Sequence, residues 1–187
     1  EVRAELAEKT GIETHINLLL EEIEKVEDII KAEGNLEGEK IFYKRYLKLG
    51  EELADKYKST LIQIKMLKKL GKLFDSLNEY DDALKYYEQI ILIRQNEACI
   101  DQEEMLLILR ILGRICESLN KRENAKEYYK MALEYAGKFG NYTVVCFSLN
   151  SLGILYEEEE NWERAKNCYD RALVVGHKCV DENDTVI

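Results

Sequence analysis

Residues able to do chemistry are few in this chain and do not converge. The two histidines, His15 and His177, stand near opposite ends of the 187 residues, so no Ser-His-Asp or Cys-His arrangement can be assembled from neighbouring segments. Five cysteines, Cys99, Cys116, Cys146, Cys168 and Cys179, form no C-x-x-C pair and no even set, which predicts free thiols in a reducing compartment. His177 and Cys179 are two candidate metal ligands where zinc needs three or four. The carboxylate run Glu157 to Glu160 lacks the alternating oxygens and the glycine of a calcium loop and reads as a solvated turn. The glycines are spread singly, so no phosphate-cradling loop is present. These observations predict a protein that is not an enzyme and that carries no metal or other cofactor.

Composition narrows the class further. Hydrophobic residues at 46% and charged residues at 34% describe a folded chain, and the absence of proline favours long uninterrupted helices. A formal net charge of −10 argues against a nucleic-acid backbone as the main partner. No apolar run is long enough for a bilayer, and the start has no signal-peptide layout, so an intracellular location, cytoplasmic or nuclear, is expected. The chain starts at Glu1 rather than Met, as a piece excised from a longer protein would.

The elements that organise the chain announce themselves as a phrase written three times. Leu70-Gly71-x-x-Phe74 is followed by Ala83 and Tyr87, Leu112-Gly113-x-x-Cys116 by Ala125 and Tyr129, and Leu152-Gly153-x-x-Tyr156 by Ala165 and Tyr169. Gly to Ala is 12 residues each time and Ala to aromatic is 4, while successive glycines stand 42 and 40 apart. A fixed period in this range marks a repeat architecture in which each unit buries its apolar face by stacking on its neighbours. Apolar periodicity predicts helices over about 12–33 and 38–56, then 60–77 with 80–95, 102–119 with 122–138, and 142–158 with 162–177. Thr10 with Glu13 reads as a capping-box start, and Gly34-Asn35 as a stop. Asn78-Glu79, Asn120-Lys121 and Glu160-Asn161 are the expected turns within the pairs. The recurrent glycine is expected to admit a neighbouring helix backbone, with the alanine serving the same approach from the other side.

These motifs resemble the tetratricopeptide repeat over about residues 64–177, including the second alanines Ala132 and Ala172. The resemblance implies an all-α fold, a right-handed α-solenoid of antiparallel helix pairs forming one domain over 1–187. Its repeats would span about 60–97, 102–138 and 142–178, with a degenerate repeat over about 12–57 and a short acidic tail over 179–187. In the degenerate repeat Ile30 would take the glycine slot, Phe42 the alanine slot and Tyr46 the aromatic slot. The long units, without the proline that ends the 34-residue form, are similar to those of polarity adaptors, kinesin light chains and Tonsoku-like scaffolds.

Such a stack implies a concave wall built from first helices. Lys65, Lys68, Lys72 and Asp75 would line it in one repeat, Leu107, Arg110, Arg114 and Glu117 in the next, and Phe147, Asn150, Ile154 and Glu157 in the last. The degenerate repeat would offer Glu24, Glu27 and Lys31. Lys65, Lys68, Lys72, Arg110, Arg114 and Asn150 are the candidate partner-binding residues. They predict a protein or peptide partner with acidic, phosphorylated or C-terminal carboxylate groups, and no membrane partner. The carboxylate clamp of cochaperone members is incomplete: Lys68 matches a clamp cation, but Lys72, Ile111 and Ser151 stand where the clamp needs other groups.

The expected function is a non-enzymatic scaffold or adaptor holding an extended peptide or helix in its groove. The alternative is a regulatory peptide receptor whose pitch changes on binding. Leu173, Val174 and Val175 on the last helix predict self-association or further repeats at that end. The terminal Thr185-Val186-Ile187 has the form that a PDZ groove accepts by strand addition.

Overall fold

In the computed structural model, residues 2–32, 34–57, 60–95 and 102–184 are described, and all of the elements among them are helices. They are α1 (Val2–Ala32), α2 (Leu36–Tyr57), α3 (Leu61–Ser76), α4 (Tyr80–Gln95), α5 (Gln102–Ser118), α6 (Arg122–Phe139), α7 (Tyr142–Glu158) and α8 (Trp162–Asp184). The all-α class of antiparallel helix pairs expected from the sequence, the α-solenoid class, is the one observed. The chain divides into two compact units, Glu1–Ile93 and Arg94–Ile187. The first holds α1 to α3 and nearly all of α4, and the second holds α5 to α8.

The pairs α3–α4, α5–α6 and α7–α8 turn by the same hydrogen bonds. The N–H of Glu79 donates to Phe74 O at 2.9 Å, that of Lys121 to Cys116 O at 2.8 Å and that of Asn161 to Tyr156 O at 2.8 Å. One residue earlier, Asn78 donates to Asp75 O, Asn120 to Glu117 O and Glu160 to Glu157 O, at 2.9–3.0 Å. This double closure is the Schellman motif, which satisfies carbonyls a helix end would otherwise leave orphaned. It forces the left-handed region on Asn78 (φ 59), Asn120 (φ 55) and Glu160 (φ 58). The next helix then opens with Ala83, Ala125 and Ala165 donating to Glu79, Lys121 and Asn161 at 3.0–3.1 Å.

These landmarks correct the register of the first repeat. Each left-handed residue lies seven after its glycine, and Gly34 (φ 64) is the corresponding residue between α1 and α2. The N–H of Glu39 donates to Asn35 O at 2.9 Å, as Ala83 does to Glu79. The glycine slot is therefore held by Glu27, the alanine slot by Glu39 and the aromatic slot by Tyr43, each three residues before the expected Ile30, Phe42 and Tyr46. Glu27, Glu39 and Tyr43 are all buried, as the slots demand.

Two helices outrun their expected ends. α1 has completed about two turns before Thr10, because Val2 to Lys9 are mostly strong helix formers, so the capping box opens nothing. α8 continues to Asp184, taking in most of the stretch expected as an acidic tail, since Gly176 keeps an ordinary helical backbone and no proline follows. The side chains of Thr10, Glu13, His15 and Lys31, and residues Cys99 and 185–187, lie outside the described residues.

The motif residues form the cores. In the first unit Met66, Leu67, Leu70, Phe74, Ala83 and Tyr87 are buried, and in the second Leu109, Leu112, Cys116, Ala125, Tyr129 and Leu152 are. Each large side chain so buried contributes roughly 1.5–3 kcal/mol of transfer free energy. Cys116 is a fully buried small apolar group in a slot that Phe74 and Tyr156 fill elsewhere. Cys116, Cys146 and Cys168 are free thiols.

The recurrent glycines do not admit a neighbouring backbone. What lies against them is the tyrosine ring of the same repeat: Tyr87 on Gly71, Tyr129 on Gly113 and Tyr169 on Gly153. A backbone approach of the expected kind occurs at Gly50 in α2, where an added Cβ would stand 2.7 Å from the amide nitrogen of Gln63 at the start of α3.

Candidate functional site

In the first unit the α3 stripe is partly closed by its own neighbours. Lys65 Nζ donates to Glu24 Oε1 of α1 at 2.7 Å, and this hydrogen bond holds the Glu24 carboxyl below its ordinary value. Lys69 reaches Glu27 Oε1 at 2.6 Å. Burial, together with a hydrogen bond to Glu27, raises the Tyr43 hydroxyl well above its usual range. Of the three candidate lysines, Lys65 and Lys68 are half-buried and Lys72 is exposed. In the corrected register the stripe positions of α1 hold Glu21, Glu24 and Asp28, and Glu27 belongs to the core face instead.

The second unit presents a more open face on α5 and α7. Leu107, Phe147 and Ile154 are 46%, 38% and 50% exposed, a large apolar offering for helices that bury their other faces. Arg110 and Arg114 stand between them on α5, and Asn150 is exposed on α7. The Arg110 guanidinium lies 4.8 Å from the centre of the Phe147 ring, and that ring meets Tyr129 edge-on at 6.0 Å. Arg114, Glu117, Tyr129, Phe147, Ser151 and Ile154 line a cleft of about 370 Å³. The Tyr129 hydroxyl donates to Glu117 Oε2 at 3.1 Å. Burial raises the Glu117 carboxyl above its ordinary value, the Tyr129 hydrogen bond opposing this and the charge of Glu158 adding to it.

Sequence reasoning placed Leu107, Arg110 and Arg114 on one stripe and Phe147, Asn150 and Ile154 on another but missed the contacts that organise them. The stacking of Arg110 on Phe147 joins two stripes treated as separate. The tyrosine-to-acid hydrogen bond recurs as Tyr169 to Glu157 at 2.9 Å. Its signal was present, because an acid stands four residues after each motif glycine, at Asp75, Glu117 and Glu157. Asn150 also borders a second cleft of about 530 Å³ with Cys146, Tyr169, Ala172, Leu173 and Gly176. Leu173 at that cleft and its neighbour Val174 are 64% and 59% exposed on α8.

Among the described residues no three His, Cys, Asp or Glu are placed to hold a metal ion, and no helix is long and apolar enough to cross a membrane. Paired helices repeated on a common hydrogen-bonded turn, displaying an exposed arginine and apolar face, define a protein–protein interaction scaffold of the helical-repeat class. Models of the tetratricopeptide repeat match residues 67–100, 111–139 and 148–178, half of the chain, and the chain belongs to that family.

Among solved structures it is similar to BtubC (BKLC) from P. vanneervenii, with a TM-score of 0.58 and 19% identity over 77% of this chain. The match spans 58% of the length of BtubC. It is also similar to MamA, with a TM-score of 0.55 and 17% identity over 85% of this chain and 89% of MamA. At such identities the likeness is one of fold. No curated protein matches the sequence.

Proposed function

We propose that the α5–α7 face holds an extended or helical segment of a partner protein, and that Lys65, Lys68 and Lys72 of α3 contribute to partner binding in the first unit. The observation that carries this reading is the interleaving of exposed Leu107, Phe147 and Ile154 with Arg110 and Arg114. Contiguous exposed apolar side chains mark interaction sites, and arginine and aromatic residues carry much of the energy at such sites. Arginine also suits the anionic part of the partner, since its planar fork can grip a carboxylate or phosphate through two hydrogen bonds. Phe147 is held ready beneath Arg110, so little side-chain freedom is lost on binding. The segment sought therefore pairs acidic, phosphorylated or C-terminal carboxylate groups with apolar side chains, and the protein works as an adaptor with no reaction of its own.

Affinity capture with quantitative mass spectrometry tests this, using wild type beside Phe147→Ala and the double variant Lys68→Glu with Arg114→Glu. Specific partners should fall away in both variants while circular dichroism reports an intact fold. Capture that survives both changes would place the site elsewhere.

A further inference from the structure

Leu152 and Tyr156 lie on the side of α7 opposite Asn150 and Ile154, as their spacing on a helix requires. There α6, α7 and α8 enclose a cleft of about 580 Å³, within the size range of ligand sites. Its floor is apolar: Leu133, Leu152, Cys168 and the ring of Tyr156. Its rim carries Lys130, Arg164 and Arg171, with Asn161 and Asn167 between them and Glu163 as the rim's acid.

All three cations are exposed, and none is held in an ion pair among the described residues. Neighbouring Lys126 shows the contrast. It is buried beside the same ring, 5.6 Å from its centre, but its Nζ is taken by Glu159 at 2.7 Å. Arg164 lies 5.7 Å from the centre of the Tyr156 ring, which pre-positions its guanidinium over the floor.

The repeat register shows that packing does not demand these charges. One repeat earlier the slots of Lys130, Arg164 and Arg171 hold Glu88, Asn124 and Met131. A cation needed by the helix pair itself would recur with the glycine and the tyrosine. Here three appear together at the junction of two successive repeats, around an apolar floor, in a chain of net charge −10.

We infer that this cleft is a second binding surface, separate from the α5–α7 face, for an acidic peptide segment of a partner protein. Its carboxylates would pair with Lys130, Arg164 and Arg171, while one aliphatic or aromatic side chain rests on Leu152 and Tyr156. Three cations beside an acid are too few to track a nucleic-acid backbone, whereas they match a short acidic stretch with an apolar anchor.

The probe is a fluorescein-labelled peptide of glutamates interrupted by one leucine and one phenylalanine, read by fluorescence anisotropy at low and physiological salt. Wild type should bind it, more weakly as salt rises, and should ignore the same peptide with lysines for glutamates. Arg164→Gln with Arg171→Gln should weaken binding by about tenfold or more. Lys68→Glu with Arg114→Glu, which removes the contribution of the other face, should leave a salt-sensitive component of binding that is lost when Arg164→Gln with Arg171→Gln is added, so failure of this inference and failure of the α5–α7 reading give different results. Amide resonances of Asn161 and Asn167 should move on titration. The inference is overturned if wild type does not bind the peptide, if the folded double-glutamine variant binds as wild type does, or if only the α3 and α5 changes abolish binding.

Discussion

The ring of Tyr129 lies on Gly113 so closely that any side chain on that residue would overlap it. Tyr87 stands on Gly71 in the same way, where an added Cβ would come within 2.8 Å of the ring, and Tyr169 stands on Gly153. The motif glycine and the motif aromatic, 16 residues apart, are thus two halves of one contact between the first and second helix of a repeat. The glycine is kept despite costing a helix about 1 kcal/mol relative to alanine.

Gly113→Ala should therefore destabilise the protein by about 1–3 kcal/mol, because overpacking outweighs the gain in helix propensity. Gly137 in α6 meets nothing within 4 Å at its Cβ position, so Gly137→Ala should raise stability by up to about 1 kcal/mol. Urea unfolding of the two variants checks the difference in sign. Equal effects would mean that the Tyr129 contact does not govern the glycine.

Glu160 takes the left-handed turn position that Asn78 and Asn120 occupy in the other repeats. Asparagine tolerates that region better than glutamate: both carry a Cβ that crowds the backbone, but the short polar side chain of asparagine can hydrogen-bond locally. Glu160→Asn should stabilise the protein by about 0.5–1 kcal/mol, and Asn120→Ala should destabilise it by a similar amount. Thermal melts followed at the helix band would show both shifts.

Much of the fold is legible in the sequence alone. The bounds of α4 and α7 agree with those expected from periodicity, helped by the polar turns Asn78-Glu79 before α4 and Glu160-Asn161 after α7. The first repeat was misread for a physical reason: Glu27 occupies the glycine slot, and its acceptability depends on Tyr43 and Lys69, which only the folded chain brings to it. Phe42, Tyr43 and Tyr46 crowd one another in sequence, so an aromatic slot could be found at the wrong one. Gly34 held the clue, at the same seven-residue offset as the other turns. In α3, α5 and α7 helical spacing dictates which side chains share the candidate stripe. The engagement of Lys65 by Glu24 was not legible, because α1 and α3 are distant in sequence.

Glu117 makes stability depend on pH. Its carboxyl is raised from the ordinary 4.5 by burial, so the folded chain keeps a proton over an interval where the unfolded chain has released it. The stabilisation from that proton is complete below pH 4.5 and is lost as pH rises through the raised value. Glu117→Gln, which still accepts from Tyr129, removes the linkage. Its stability relative to wild type should increase across that interval and level off above it, as read by denaturant unfolding at a series of pH values.

Lys69 compensates a carboxylate that the solvent barely reaches, since Glu27 is 3% exposed. Replacing Lys69 with methionine keeps the apolar stem but strands the charge of Glu27, a loss expected at about 1–3 kcal/mol. The pair Lys138–Glu134, with both side chains in water, has no such role, and Lys138→Ala should leave unfolding nearly unchanged. Adding Glu27→Gln to the Lys69→Met variant should recover much of the loss, because the stranded charge is gone while Tyr43 keeps a hydrogen-bond partner. If the double variant is no more stable than Lys69→Met alone, the buried carboxylate is not what Lys69 serves.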